Sequence, residues 1–407
     1  MRRRPRVPRI EELFVLNGLV SLAAAALWIW WRRELLLEHF YFGPLLGATH
    51  LVTLGFLSSL MMGVLYRLAP MLLGVEARSR RLAALQLALF LVGIWGMIAH
   101  FFLSEWTGMS WSAFLVLGAA LIQVWNFRDL FRAGRKAPWM RRFVAASLVH
   151  FLLAAGLGVV LSVVKAYDWR PAFLASQYLP NVFAHAHLAG VGWVTGMIFG
   201  FELALVPTTA GSGRWLPLRF FLFQLGALGL AGAFLAEADV RPFALALALC
   251  CCWQAFGPAA ALLKGRAREW EVLPLAMLVL ASLLGVVLAF GPSPPNAGWQ
   301  LAYAFLALFG FMVGTIVAIA FKLFPIWVWK EKFQPDFGKR PVPGMKELAS
   351  ASLRAVANVA VALGSLGTAA AVSFGSSRAL LVSTTVLLAG TAAFVSNFVR
   401  VARWLWR

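Results

Sequence analysis

The chain has 407 residues, of which 61% are hydrophobic and 13% charged, and a formal net charge of +20. A soluble domain carries about a quarter of its residues as Asp, Glu, Lys and Arg, so this composition excludes an ordinary soluble enzyme. Apolar runs of about 20 residues recur along the chain, each long enough to cross a bilayer core, and none alternates with the period of two expected of a membrane β-barrel.

The opening stretch MRRRPRVPRIEELF is basic. The apolar segment after it is long and has no small-residue cleavage site, so it reads as the first span and not as a removed signal peptide. Twelve spans are predicted, at roughly 11–31, 43–73, 83–104, 108–127, 142–165, 180–207, 215–236, 242–263, 272–291, 298–328, 349–374 and 379–402. With alternate loops assigned to alternate sides, the side holding both termini carries 30 of the 36 Lys and Arg. The positive-inside rule then puts both termini in the cytoplasm of a bacterial inner membrane. The basic loops NFRDLFRAGRKAPWMRR and KEKFQPDFGKRPVPGMK fall on that side, where anionic membrane lipids are the expected partners. Nucleic acid is not expected, because no basic domain stands outside the membrane. The consecutive Cys250, Cys251 and Cys252 in span 8 lack metal-site spacing and read as apolar packing.

Spans 2, 6 and 10 share a pattern. In GATHLVTLGFLSSLMMGVLYRLAP, His50, Gly55, Phe56, Gly63 and Pro70 match His187, Gly192, Trp193, Gly200 and Pro207 of AHAHLAGVGWVTGMIFGFELALVP. Aligning AYAFLALFGFMVGTIVAIAFKLFP on its proline matches Gly310, Phe311 and Pro325, with Ala318 for the second glycine and Phe305 for the histidine. The chain thus divides into three pseudo-symmetric four-helix units, near 1–137, 138–265 and 266–407. The glycines allow close helix approach, and the proline is expected to bend or end each helix.

Histidine in an apolar span is costly and points to function. His50 lies about 10 Å below the outer end of its helix, at 1.5 Å per residue, and His187 lies at similar depth. With His185 nearby, His50, His185 and His187 are the candidate metal or heme ligands. His185 and His187 stand about 200° apart around a helix, so one regular helix cannot aim both at one metal. The repeat selects His187 to pair with His50 as an axial couple on one porphyrin. A copper site, with His39 from the outer loop, is the alternative. His39 and His100 read as solvated loop residues, and His150 as a helix–helix hydrogen-bonding group. Glu202, about 22 Å below His187, reads as paired with a base or reaching the interface. Arg67 and Lys322, three before the repeat proline with Ala204 as third equivalent, read as snorkelling to head groups. The sequences WIWW, WVW and WLW suit interfacial belts.

Twelve helices, three four-helix units and outer-half histidines on spans 2 and 6 resemble subunit I of the heme–copper oxidase superfamily over essentially the whole chain, most closely the cbb-type oxidases and nitric oxide reductases. The resemblance implies an all-α polytopic membrane protein, with His50 as ligand of a low-spin heme and His185 or His187 on the metal side. It also implies a respiratory membrane subunit or cytochrome as partner. The chain departs from that family where span 7, RFFLFQLGALGLAGAFLAEADV, lacks the paired histidines, and where Tyr303 and Phe305 replace the His-x-His of span 10. A complete oxygen-reducing centre cannot be built, so a terminal oxidase is not expected. The expectation is a heme-binding protein of electron transfer, gas sensing or nitric oxide handling. The rivals are a metal-free structural subunit of a respiratory complex and a twelve-helix transporter. A transporter fits less well, because its repeats are usually inverted or twofold and its midplane polar.

Overall fold

A computed structural model describes residues 9–38, 40–132, 134, 136–209, 213–265, 269–292 and 296–406. Among them, twelve helices are long and apolar enough to cross a membrane. They are span 1 (Ile10–Trp31), span 2 (Gly43–Leu73), span 3 (Arg80–Leu103), span 4 (Trp106–Asn126), span 5 (Pro138–Tyr167) and span 6 (Tyr178–Leu205). Then follow span 7 (Leu216–Leu235), span 8 (Arg241–Leu263), span 9 (Val272–Phe290), span 10 (Ala297–Lys332), span 11 (Ala351–Phe374) and span 12 (Ser377–Leu405). The chain is an integral membrane protein.

The ends of these helices follow from local chemistry. Ser79, Glu105, Asn296 and Ser350 accept from the first free amides of spans 3, 4, 10 and 11, which no intrahelical carbonyl can reach. Pro138 opens span 5 at a position where its missing N–H costs nothing. The repeat proline acts unevenly. Pro70 lies in the last turn of span 2 and Pro207 just past span 6, but span 10 continues beyond Pro325 to Lys332.

Consecutive spans pack side by side, and the ring closes where span 12 meets span 1. Spans 2, 6 and 10 lie innermost. Their most apolar stretches are 72%, 72% and 67% buried, against 28–56% for the other nine. All three widen into π-helix at equivalent places, Leu51–Ser58, His187–Thr195 and Leu306–Val313, and these three segments touch one another. Such widened turns are rare and concentrate at functional sites. Here hydroxyls follow the five-residue step. Ser58 donates to the Thr53 carbonyl at 2.8 Å and Thr195 to that of Gly190 at 3.1 Å. Trp193 of span 6 donates to Ser58 of span 2 at 3.0 Å, a direct bond between two central helices.

The repeat glycines meet equivalent partners. A Cβ on Gly55 would lie 2.6 Å from Ser21 of span 1. On Gly192 it would lie 2.4 Å from His150 of span 5, and on Gly310 2.9 Å from Met277 of span 9. Each central helix is therefore pressed onto the first helix of its own unit at the same point. Lipid offers no hydrophobic drive for this association, so close backbone packing must supply it. Polar ties reinforce unit 1. Asn17 of span 1 donates to Ser59 of span 2 at 2.7 Å and accepts from Trp95 of span 3 at 2.9 Å.

Replacing Gly55 or Gly192 by Ala forces a clash into this packing and is expected to cost about 1–3 kcal/mol. The readout is a lowered unfolding temperature in detergent. Gly156→Ala, where a Cβ meets nothing within 4 Å, is the control and should leave it unchanged.

Candidate metal-binding site

The seam between units 1 and 2 holds a cavity with about 930 Å³ of space between atoms, part of it open to the exterior. Its walls come from spans 2 to 6 and are mainly apolar, among them Met97, Phe101, Met109 and Val116 on one side and Phe151 and Trp193 on the other. Two imidazoles enter it, His50 from span 2 and His185 from span 6. Their ring centres are 6.5 Å apart with planes 21° from parallel.

Each ring is oriented by its backbone. His50 Nδ1 lies 2.7 Å from the Leu46 carbonyl, and His185 Nδ1 2.9 Å from that of Ala154 on span 5. A carbonyl only accepts, so in the neutral ring Nδ1 carries the proton and Nε2 keeps its lone pair. No described protein group is bonded to Nε2 of either residue. This is the tautomer and outer contact that metal-ligating histidines show. Space for the His185 ring comes from Gly158 of span 5, where a Cβ would stand 2.9 Å from its Cε1.

The separation discriminates among uses. Two imidazoles hydrogen-bonded directly, N to N at about 2.9 Å, hold their centres about 5.2 Å apart. Two bound in line to one metal at roughly 2.0–2.1 Å hold them about 6.3 Å apart. The observed 6.5 Å is too wide for the first arrangement and close to the separation of the second.

The pairing expected from the repeat, His50 with His187, is corrected. His187 turns to the next seam, between units 2 and 3. Its Nδ1 donates to the Phe183 carbonyl at 2.8 Å, and its Nε2 accepts from the Tyr303 hydroxyl of span 10 at 3.3 Å. Its lone pair is thus taken, and its ring packs against Phe234. The reason is the symmetry. By the sequence alignment His50 corresponds to His187, and His185 to Tyr303, so the His50–His185 and His187–Tyr303 pairs are the same contact made once at each seam. Units related by rotation meet head to tail, so a residue faces the next unit's different surface and not its own equivalent.

Other expectations resolve by position. His150 reaches Gln224 of span 7 at 2.8 Å, as a helix–helix bond. His100 lies 3.0 Å from the Glu105 carboxylate instead of standing free in solvent. His39 lies outside the described residues. Glu202 is buried inside the protein, 3% exposed. It accepts from Gln254 of span 8 at 2.6 Å and has Arg219 as a neighbouring base, as the pairing reading expects. Arg67 pairs with Glu331 at 2.8 Å, and Lys322 donates to the Leu205 carbonyl at 3.0 Å, so both heads are held by protein. Cys250 and Cys251 are buried free thiols. Among the described residues no three His, Cys, Asp or Glu side chains converge as a metal cluster.

The sequence reading missed the mouth of the cavity. Lys165, near the end of span 5, holds its amine 4.5 Å from the Tyr178 ring centre, 5.6 Å from Tyr41 and 5.7 Å from Trp106. All three rings line the cavity. Burial pushes the Tyr41 phenol well above its ordinary range, so it stays neutral beside the ammonium. The signal in the sequence was an aromatic at the outer end of each neighbouring helix, recognisable only once the helices are assembled. Glu105 fixes one of these rings, since its carboxylate accepts the Thr107 and Gly108 amides and starts span 4 at Trp106.

Compared with known proteins, the chain matches no family model and no curated sequence.

The Glu105 carboxyl is held below its ordinary 4.5, first by the Gly108 amide and then by Thr107 and His100. A depressed acid stabilises the fold above its ordinary value and loses that contribution as pH falls through the lowered one. Glu105→Gln should therefore melt below the wild type at pH 7, and the difference should shrink as pH falls below the ordinary 4.5 and through the lowered value. Thermal melts across that range are the check.

Proposed function

We propose that this membrane protein binds heme through His50 and His185 and serves electron transfer, gas sensing or nitric oxide handling. The observation carrying this reading is the imidazole pair itself. The rings stand 6.5 Å apart in an apolar cavity, both Nδ1 atoms committed to carbonyls and both Nε2 atoms without a described protein partner. The donor count favours heme over copper alone. Copper(II) wants about four donors in a tetragonal set, but only two imidazoles meet here. Heme brings four nitrogens of its own and asks the protein for two.

The chain's residues have separable tasks. His50 and His185 would hold the iron through Nε2, each ring kept in one tautomer by the carbonyl of Leu46 or Ala154. Gly158 leaves room for the His185 ring. Phe101, Met97, Phe151 and Trp193 would exclude water from the bound group. Lys165, over the Tyr178 ring, would supply positive charge for its carboxylates. Such a group would supply a one-electron couple tuned by its ligands and the dryness of its pocket.

The architecture supports kinship with heme–copper oxidase subunit I, without the second metal. The charge bias of the loops supports placing both termini in the cytoplasm of a bacterial inner membrane. The site then lies toward the opposite face, accessible to a cytochrome or a respiratory partner subunit. The same two imidazoles without heme would be the metal-free structural subunit.

The test is the visible spectrum of protein purified from heme-replete cells, oxidised and reduced, with iron and copper analysis. A Soret band is expected, lost in His50→Ala and His185→Ala and retained in His187→Ala. Gly158→Val, which crowds the His185 ring, should lower heme content severalfold while the protein stays monodisperse. A colourless wild type, or loss confined to His187→Ala, contradicts the assignment.

A further inference from the structure

A second cavity, with about 1110 Å³ of space between atoms, opens on the face that carries the termini. It lies where the three central helices diverge below their π segments. Its walls are Met61, Val64 and Leu68 of span 2, Ile198 of span 6, and Ile316 and Ile319 of span 10. The lining is almost wholly apolar, with the rings of Phe201, Phe324 and Phe398 among its aliphatic side chains, and the rim is not. Arg67 and Lys330 both border the cavity, as does Trp327. Arg67 stacks over the Trp327 ring at 5.3 Å. Cations gather at this rim. Glu331 is shared between Arg67 at 2.8 Å and Arg9 at 2.7 Å, and Lys330 borders the same cavity.

Two polar atoms here lack partners. The indole Nε1 of Trp327 is buried without an acceptor. So is the Thr315 hydroxyl on span 10, in a residue only 4% exposed. Hydroxyls in helices normally bond back to a preceding carbonyl, as Thr53 does to Thr49 at 2.9 Å. Thr315 does not, and it lines the cavity.

We propose that this cavity holds an acyl chain of an anionic phospholipid, with its phosphate at Arg67 and Lys330. Three features select that occupant. An apolar shaft matches a hydrocarbon tail. A cationic rim matches phosphate oxygens, which accept and carry charge. The opening lies at the depth where lipid head groups stand, at the end of long helices whose basic side chains meet that leaflet. The lipid wedges among spans 2, 6 and 10 on the side opposite the imidazole pair and braces the spread of the three helices. This assignment is independent of heme binding.

The test uses the full chain in phosphatidylcholine nanodiscs doped with a diazirine-tailed phosphatidylglycerol, phosphatidylcholine or palmitate, irradiated and mapped by mass spectrometry. The phosphatidylglycerol probe is expected to label span 10 between Ile316 and Leu323 in preference to the other two. Arg67→Gln and Lys330→Gln should each reduce that labelling about fivefold, the worth of one cation beside anionic lipid. Ile319→Trp, which fills the shaft, should abolish it, and the two charge variants keep the test decisive if that protein does not fold. Equal labelling by phosphatidylcholine, preferential labelling by palmitate, or label confined to the lipid-facing perimeter overturns the proposal.

Discussion

Close packing of three glycine-bearing helices around a common centre is the constraint from which the rest of the structure follows. In a bilayer, burying apolar side chains against one another gains little over lipid, so association depends on backbone approach and a few interhelical hydrogen bonds. Gly55, Gly192 and Gly310 bring the central helices against Ser21, His150 and Met277. At each of these points the helix widens into a π segment, which opens the spacing of side chains toward the seams. The seams between units then hold the His50–His185 and His187–Tyr303 contacts.

Rotational pseudo-symmetry decides which residues can meet. Each seam brings together one surface of a unit and a different surface of the next. At the first seam this contact is His50 with His185, and at the second it is His187 with Tyr303. One contact type has thus diverged into two states: a pair of imidazoles with free lone pairs, and an imidazole whose lone pair is taken by a phenol. Only the first offers two nitrogens to a metal. The three histidines and the tyrosine are one structural theme, played twice with different donors.

Much of the architecture was legible in the sequence. The twelve apolar runs appear where expected; span 9, read as 272–291, lies within the helix Glu269–Phe290. Boundaries failed where backbone chemistry overrode apolarity. Span 10 runs on to Lys332 because Pro325 is accommodated inside the helix, and span 5 begins at Pro138 because proline suits a first turn. The site was half legible. Its residue types and depth followed from the cost of burying histidine, but the pairing did not, because a repeat shows which positions are equivalent and not which surfaces abut. Gly158, Lys165 and the aromatic ring of Tyr41, Trp106 and Tyr178 belong to separate helices, and no spacing along the chain joins them. Glu331, the partner of Arg67, lies on another unit and was hidden for the same reason.

A density map of the protein from heme-replete cells, determined by electron cryomicroscopy in nanodiscs, tests the central claim most directly. A planar feature held between the rings of His50 and His185, with His187 still bonded to Tyr303, is the expected result. Side chains or solvent alone between those two rings, or the planar feature at the His187 seam, would contradict it.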